Sequence, residues 1–251
     1  MTDNIITLKN LSKKYKNFIA VDHLNLDIRR GEIFGLLGSN GAGKSTTILM
    51  MLGMTEPTEG TAEVCGLDPT RQPVAVKQQT GYLPEDVGFY DDRTGLENLM
   101  YTARLNSLPD HVAKKRAQEL LDRVGLSKAI DKKTGTYSRG MRQRLGLADV
   151  LIKSPKVIVL DEPTSGIDPQ GVKAFLELIV RLRDEEGLTV LFSSHNLNQV
   201  EQVCDRVGIF VKGRLMAAGD IKSLSQQIFG NTSQSLDAIY NHFFEGESDH
   251  E

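Results

Sequence analysis

The stretch Gly38-Ser39-Asn40-Gly41-Ala42-Gly43-Lys44-Ser45-Thr46 fits the pattern G-x-x-x-x-G-K-[ST]. The apolar run at residues 33–37 predicts a buried strand before it, and residues 46–52 predict a helix after it. In such a strand–loop–helix turn, glycines let successive backbone N–H groups curl around a phosphate, and the helix N-terminus adds partial positive charge. The stretch therefore predicts a loop, from Gly38 to Thr46, that binds the phosphates of a nucleoside triphosphate.

Two side chains of this loop have their own chemistry. Lys44 is long enough to reach the β- and γ-phosphates, and the Ser45 hydroxyl can ligate Mg²⁺. The alternative is a chance glycine-rich turn, which the strand before the loop and the helix after it disfavour. We therefore expect the chain to bind a nucleoside triphosphate, with Mg²⁺ on the Ser45 hydroxyl.

A second apolar strand, at residues 156–160, ends in Asp161 and Glu162. In a parallel sheet its carboxyl end meets the edge at which the first strand delivers the glycine loop. Asp161 is a candidate Mg²⁺ ligand, and Glu162 a candidate base that orients and deprotonates an attacking water. Taken alone, an Asp-Glu pair at a strand end is usually only solvated; the glycine loop is what makes this pair a candidate site.

The composition excludes several classes of protein. The chain has 251 residues, which suits one large α/β domain or two small ones, and a net charge of −3, so no basic field indicates a nucleic-acid partner. Its two cysteines lie far apart and fit a reduced, cytosolic setting. The first residues do not resemble a signal peptide, and no apolar run approaches 18 residues. A role at a membrane would therefore need another chain as anchor.

Periodicity along the chain predicts strand–helix alternation interrupted by a helical insert. We expect a main domain at residues 1–220, a helical subdomain inserted at about 88–154, and a tail at 221–251 with a short helix near 235–244 and an acidic end. Predicted strands lie at residues 5–8, 20–28, 33–37, near 60–64, 80–83, 156–160, 188–192, 206–211 and 214–217, and predicted helices at 46–52, 95–106, 110–124, 139–153 and 170–186.

The start of the third insert helix carries the stretch Tyr137-Ser138-Arg139-Gly140-Met141-Arg142-Gln143-Arg144-Leu145. Ser138 and Gly140 at a helix N-terminus can form a second anion site, although an ordinary N-cap on a basic helix has the same sequence pattern. The stretch lies about 20 residues before the Asp-Glu strand, and it resembles the signature motif of the ATP-binding cassette (ABC) ATPases. The remaining motifs of that family follow in order from about Ile5 to Gly219.

The resemblance implies a role for each of these motifs. Tyr15 resembles the aromatic residue that stacks on adenine, with Phe18 as the nearest substitute. Glu85 falls where the family usually has a glutamine near Mg²⁺ and the attacking water, Asp168 resembles the end of the D-loop, and His195 resembles the switch histidine that contacts the γ-phosphate. Each also has an ordinary structural reading: Tyr15 as a surface tyrosine, Asp168 as a helix cap, His195 as a structural histidine.

Three positions depart from the family pattern. Arg139 stands where the signature usually has its first glycine, and Met141 where glutamine is common. Glu85 replaces an amide by a carboxylate, which can accept from water or ligate Mg²⁺ but cannot donate a hydrogen bond. Near a polyphosphate this negative charge needs metal or cationic compensation, so the role of Glu85 is less firmly predicted than that of Glu162.

As a whole, the resemblance implies an α/β fold of the P-loop NTPase, ABC type: a mixed sheet with a parallel core, N-terminal antiparallel strands and a helical subdomain. It further implies an Mg²⁺-dependent ATPase that closes as a head-to-tail homodimer in the ATP-bound state. Its partners would be membrane permease subunits, the chain would lie on the cytoplasmic face of the membrane, and transport would be export. The alternative is a cassette ATPase that transmits force to a membrane or ribosomal partner without moving a solute.

Overall fold

The computed structural model describes residues 3–245. The first part of the chain forms an antiparallel three-stranded sheet in the order β2-β1-β4, as the family resemblance implies. Its strands are β1 (Asn4–Tyr15), β2 (Phe18–Arg29) and β4 (Glu59–Val64). The β1–β2 pairing contains several register shifts, so the hairpin end near Tyr15 and Phe18 is irregular.

The second sheet has six strands in the order β5-β6-β7-β3-β8-β9, all parallel except for β9, which runs antiparallel to β8. Its strands are β3 (Ile33–Gly38), β5 (Thr80–Leu83), β6 (Val157–Asp161), β7 (Thr189–Ser194), β8 (Arg206–Val211) and β9 (Arg214–Gly219). The predicted mixed sheet with a parallel core is confirmed. Because β3, β5, β6 and β7 run in one direction, their carboxyl ends share one edge.

Nine α-helices lie within the described residues: α1 (Lys44–Met51), α2 (Pro73–Gln79), α3 (Gly95–Leu105), α4 (Asp110–Arg123), α5 (Arg139–Leu151), α6 (Pro169–Glu186), α7 (Leu197–Val203), α8 (Ile221–Phe229) and α9 (Leu236–Glu245). The sequence pattern predicts no helix at α2, α7 or α8. Helices α2 and α7 have only seven residues each, and α2 buries Val76 alone, so neither presents a long apolar stripe.

Helices α3 to α5 lie in the stretch predicted as a helical insert, and α5 packs on the six-stranded sheet while α3 and α4 pack on α5. Leu145 and Leu147 of α5 belong to the same buried cluster as Ile158 and Leu160 of β6. At Gly146 of α5, an added Cβ would lie 2.5 Å from a methyl group of β5, so the helix approaches this edge strand closely. The strand that leads to Glu85 is therefore covered by the signature helix.

The tail after residue 220 folds back onto the sheet. Leu236 and Ile239 of α9 are fully buried, and α9 packs against α7 and β8. The predicted acidic end of the tail, after α9, lies outside the described residues. Between residues 3 and 245 there is no helix long and apolar enough to cross a membrane.

Candidate active site

The glycine loop lies between the end of β3 and the start of α1, at the carboxyl edge of the sheet. Gly41 and Gly43 have φ values of 80° and 102°, a region that favours glycine. A Cβ at Gly43 would lie 2.5 Å from the carbonyl oxygen of Ala20, whereas a Cβ at Gly41 would meet nothing within 4 Å. The backbone is thus tightly packed on one side of the loop and open on the other, which leaves room for a ligand against the N–H groups.

Lys44 is the first residue of α1 and is buried. Its Nζ donates to the carbonyl oxygens of Gly38 and Ser39, at 2.7 and 3.2 Å. Burial lowers the pKa of Lys44, and the carboxylates of Glu162 and Asp161 act in the opposite direction. The ammonium group is therefore held beside the loop, with two carboxylates close enough to influence its charge.

Asp161 ends β6, two strands away from the glycine loop on the same sheet edge. The Tyr82 hydroxyl donates to Asp161 Oδ2 at 3.3 Å. Burial, with a further contribution from Asp161, raises the pKa of Tyr82 to about 12, so this hydroxyl keeps its proton and remains a donor at neutral pH. Sequence analysis missed Tyr82. Its place in a strand of the same sheet, just before Pro84, is the only signal that could have indicated it.

Glu162 turns the chain out of β6 with a φ of 48°, and its N–H donates to Ser193 O at 3.1 Å. Its Oε2 lies 2.9 Å from Nδ1 of His195, so the two residues meet as a pair. Its Oε1 is buried and has no hydrogen-bond partner among residues 3–245. A buried carboxylate oxygen without a partner is costly, which is typical of a group that awaits a ligand or water.

One cavity of about 340 Å³ brings most of the predicted site together. It is lined by the glycine loop and by both carboxylates of the β6 end: Phe18, Ala20, Asn40, Gly41, Ala42, Gly43, Lys44, Ser45, Thr46, Glu85, Asp161 and Glu162. Glu85 thus lines the same cavity as the glycine loop.

The aromatic residue in the cavity wall is Phe18 rather than Tyr15. The two residues face each other as a pair at the irregular end of the β1–β2 hairpin, and both rings are exposed. The Tyr15 ring instead has the ammonium of Lys13 5.0 Å from its centroid. In this conformation Phe18 is better placed than Tyr15 to stack on the base of a nucleotide in the cavity.

The signature residues do not line this cavity. Ser138 caps α5, with its Oγ accepting from the Met141 N–H at 3.3 Å, and Gly140 follows in the first turn. Asp168 caps α6 by accepting from the Gly171 N–H at 2.9 Å, which is the structural role that the sequence left open for it. These residues are therefore outside the space in which the glycine loop would hold phosphates.

One further contact near the site was not foreseen. The Thr164 hydroxyl donates to the side-chain oxygen of Gln199 at 2.5 Å, which connects the segment after Glu162 to α7, the helix after His195. No sequence pattern marks this pair, since 35 residues separate its members.

The donor set of the cavity fits Mg²⁺ as well as phosphate. Hydroxyl and carboxylate oxygens are the ligands that Mg²⁺ prefers, and Ser45, Asp161 and Glu85 all line the cavity. Among residues 3–245, no three His, Cys, Asp or Glu side chains cluster closely enough to form a metal site by themselves. An ion here would thus take further ligands from phosphate and water, as Mg²⁺ commonly does in nucleotide sites.

The fold and the cavity define a nucleotide-binding protein of the P-loop class. Residues 21–165 match the ABC transporter family, which is more than half of the chain. The chain belongs to this family and is an ATP-binding subunit of the ABC ATPase type.

Individual relatives agree with the family. The bacitracin transport ATP-binding protein BcrA of Bacillus licheniformis is 41% identical over 84% of this chain and 68% of its own length. A solved ATP-binding subunit of an ABC transporter is similar over 96% of this chain and 99% of its own, with a TM-score of 0.85 and 30% identity. The ATP-binding cassette MJ0796, solved as a dimer bound to ADP and Pi in a post-hydrolysis state, is similar over 86% of this chain and 98% of its own, with a TM-score of 0.77 and 25% identity.

Proposed function

We propose that this chain hydrolyses ATP with Mg²⁺ in a head-to-tail homodimer, and that the cycle drives export through separate membrane permease subunits. The observation that carries the proposal is the separation of the two predicted phosphate-binding motifs. The glycine loop lines the cavity together with Glu162, whereas Ser138 and Gly140 lie outside it. A second copy in two-fold arrangement would supply Ser138 to each cavity and create two equivalent sites. The dimeric solved relative supports this arrangement.

The loop residues Gly38 to Thr46 would bind the triphosphate through backbone N–H groups, with Lys44 on the β- and γ-phosphates. To do so, Lys44 exchanges its bonds to the Gly38 and Ser39 carbonyls for phosphate oxygens. Ser45 and Asp161, with Glu85 as a further candidate, would hold Mg²⁺. When bound, the ion neutralises charge on the β- and γ-phosphate oxygens.

Glu162 is the proposed general base. Its partnerless Oε1 can take the proton of a water whose oxygen attacks the γ-phosphorus, while the bond to the β–γ bridging oxygen breaks to give ADP and phosphate. Tyr82 keeps the Asp161 carboxylate oriented beside it. Both carboxylates thus have side-chain partners that fix one of their oxygens.

The hydrogen bond between His195 and Glu162 limits what His195 can donate to a phosphate. A neutral imidazole donates from one nitrogen only, and a carboxylate without a proton can only accept. With Nδ1–H donated to Glu162, Nε2 is an acceptor and cannot donate to a phosphate oxygen. A γ-phosphate contact from His195 therefore requires release of Glu162 or uptake of a proton. We propose that His195 holds Glu162 before ATP binds and exchanges this contact for the γ-phosphate afterwards.

The variant Glu162→Gln tests the ATPase and dimer parts together. Removal of a general base lowers turnover by roughly 10²- to 10⁴-fold, while ATP binding is retained. We expect this variant to elute as a dimer with ATP and Mg²⁺ and as a monomer with ADP on a sizing column. The double variant Glu162→Gln, Lys44→Ala is the control, because it lacks the main phosphate cation and should remain monomeric. Wild-type turnover by Glu162→Gln, or no dimer at saturating ATP, would contradict the proposal.

Transport is the further part of the proposal. The relative named for bacitracin transport supports a transport role for this chain. The direction that we propose is export. We place the chain on the cytoplasmic face of the membrane, held there by permease subunits. Mild crosslinking in native cells should recover a membrane protein with several spans, and vesicles containing both should move solute only with ATP and an intact Glu162. Recovery of ribosomes instead would favour the force-transmitting alternative.

A further inference from the structure

The side chain of Arg139 joins two loops that flank the active site. Arg139 begins α5, directly after Ser138. Its Nε donates to the carbonyl oxygen of Ser165 at 2.5 Å, and its Nη2 lies 3.4 Å from Oδ1 of Asp86. Ser165 lies in the loop between Glu162 and Asp168, and Asp86 follows Glu85. One guanidinium therefore contacts both loops from the signature helix.

The position of Gly166 shows how closely Arg139 packs on the loop between Glu162 and Asp168. This glycine has a φ of 69°, and an added Cβ would lie 2.8 Å from both Cδ and Nε of Arg139. Such distances are not seen for real Cβ atoms, so the arginine side chain lies against the bare backbone of this turn. A glycine here satisfies both the left-handed conformation and the close approach.

The next residues of α5 hold the loop after β5. Gln143 Nε2 donates to the Glu85 carbonyl at 2.7 Å. Arg142 donates to Asp91 Oδ1 at 2.7 Å and to the Val87 carbonyl at 3.3 Å. This loop is thus already fastened to α5 without Arg139. Arg139 supplies the side-chain hydrogen bond from α5 to the other loop, at Ser165, where Gly140 adds only an apolar contact with Ile167.

The two contacts of Arg139, with Asp86 and with Ser165, differ in strength. The Asp86 side chain is 91% exposed, and ion pairs at such positions contribute little. The bond to Ser165 is short and charge-assisted, which makes it one of the stronger types. Ordering the loop around residues 165–168 is therefore the effect to test, rather than the ion pair.

We propose that Arg139 is a positioning residue for ATP hydrolysis, which fixes the loop of Ser165 to the signature helix so that Ser138 and Asp168 reach the partner subunit in one orientation. The inference rests on the proposed dimer. It gives the arginine at this unusual position a role that glycine cannot perform, since glycine has no side chain to reach Ser165.

The test compares Arg139→Ala and Arg139→Lys with the matched variant Arg104→Ala. Arg104 is on α3 of the same insert, and its guanidinium donates to both carboxylate oxygens of Asp110 at 2.9 and 2.8 Å, away from both site loops. Loss of one charge-assisted bond should lower kcat of Arg139→Ala about tenfold, with KM for ATP within about twofold. Arg139→Lys should regain about half of the turnover, because an ammonium keeps one donor but not the planar fork.

Amide hydrogen exchange of the nucleotide-free protein gives a readout independent of turnover. Peptides covering residues 163–168 should exchange faster in Arg139→Ala than in wild type, and at the wild-type rate in Arg104→Ala. The inference is overturned if this exchange is unchanged in Arg139→Ala, if its kcat stays within twofold of wild type, or if Arg104→Ala loses as much turnover. If Glu162→Gln fails to dimerise, the proposed function fails, whereas the exchange result still decides whether Arg139 orders the loop.

Discussion

The glycine loop and the first turn of α5 would bind the same phosphates from opposite sides, yet they are built differently. The glycine loop is shaped by its backbone: Gly43 is wedged against the Ala20 carbonyl, and the cation Lys44 is buried. The first turn of α5 is placed by side chains, since Ser138 and Arg139 are exposed and reach out to neighbouring residues. The first surface is therefore fixed by packing, while the second can be adjusted by single side-chain contacts.

The largest effect on stability and ATP binding should come from a substitution in the glycine loop, whose shape is set by its backbone. In Gly43→Ala, a methyl group 2.5 Å from a carbonyl oxygen is added to a left-handed conformation that by itself costs about 1–3 kcal/mol. We expect a loss of at least about 3 kcal/mol in the free energy of unfolding, together with loss of ATP binding, measured by urea titration and nucleotide fluorescence.

Gly41→Ala is the matched control, because Gly41 is also left-handed but its added methyl group meets no protein atom. Its free energy of unfolding should fall by only about 1 kcal/mol. Equal losses in the two variants would show that conformation alone, and not the wedge against Ala20, shapes the loop.

An intermediate effect on stability is expected from a substitution in the first turn of α5, which is placed by side-chain contacts. Ser138→Ala removes an N-cap, which costs about 1 kcal/mol of stability. Thr94→Ala removes the cap of α3, the neighbouring helix of the insert, and should cost a similar amount. Only Ser138→Ala should also lower turnover while leaving ATP affinity unchanged, since its hydroxyl is proposed to face the partner's phosphate. Equal turnover in both variants would reduce Ser138 to a helix cap.

The smallest effect on ATP turnover is expected at the far end of α5, where the prediction concerns stability alone. Burial raises the pKa of Asp149 to about 6, while the Thr102 hydroxyl and Lys153 act in the opposite direction. Because the unfolded carboxyl titrates near 4, the folded state binds this proton more tightly. The free energy of unfolding should therefore fall as pH rises from about 4 to about 6, and stay level above that.

Asp149→Asn removes this dependence and should stabilise the protein by at most about 3 kcal/mol at pH 7.5, with no gain at pH 4. Urea unfolding across this pH range is the measurement. Asp122→Asn on the exposed side of α4 is the control and should change the profile little. A stabilisation by Asp149→Asn that is the same at both pH values would contradict the raised pKa.

The sequence predicted the sheet well because its parallel strands are continuous apolar runs, and the strand Thr80–Leu83 was placed at its observed bounds. The identity of the cavity aromatic was not predictable in the same way. Alternation along β1 and β2 is interrupted by register shifts, so the side on which Tyr15 or Phe18 falls depends on the bulges. The contacts of Arg139 with Ser165 and of Thr164 with Gln199 join distant residues, and only the folded chain brings them together.

The central position of β3 has a consequence for biosynthesis. This strand, which leads into the phosphate loop, pairs with β7 and β8, and these follow it by more than 150 residues. While a ribosome is still translating the helical insert, the loop has its glycines and lysine but no neighbouring strand on either side. We therefore expect a nascent chain to acquire affinity for nucleotide late in translation, in one step, when the last parallel strands emerge.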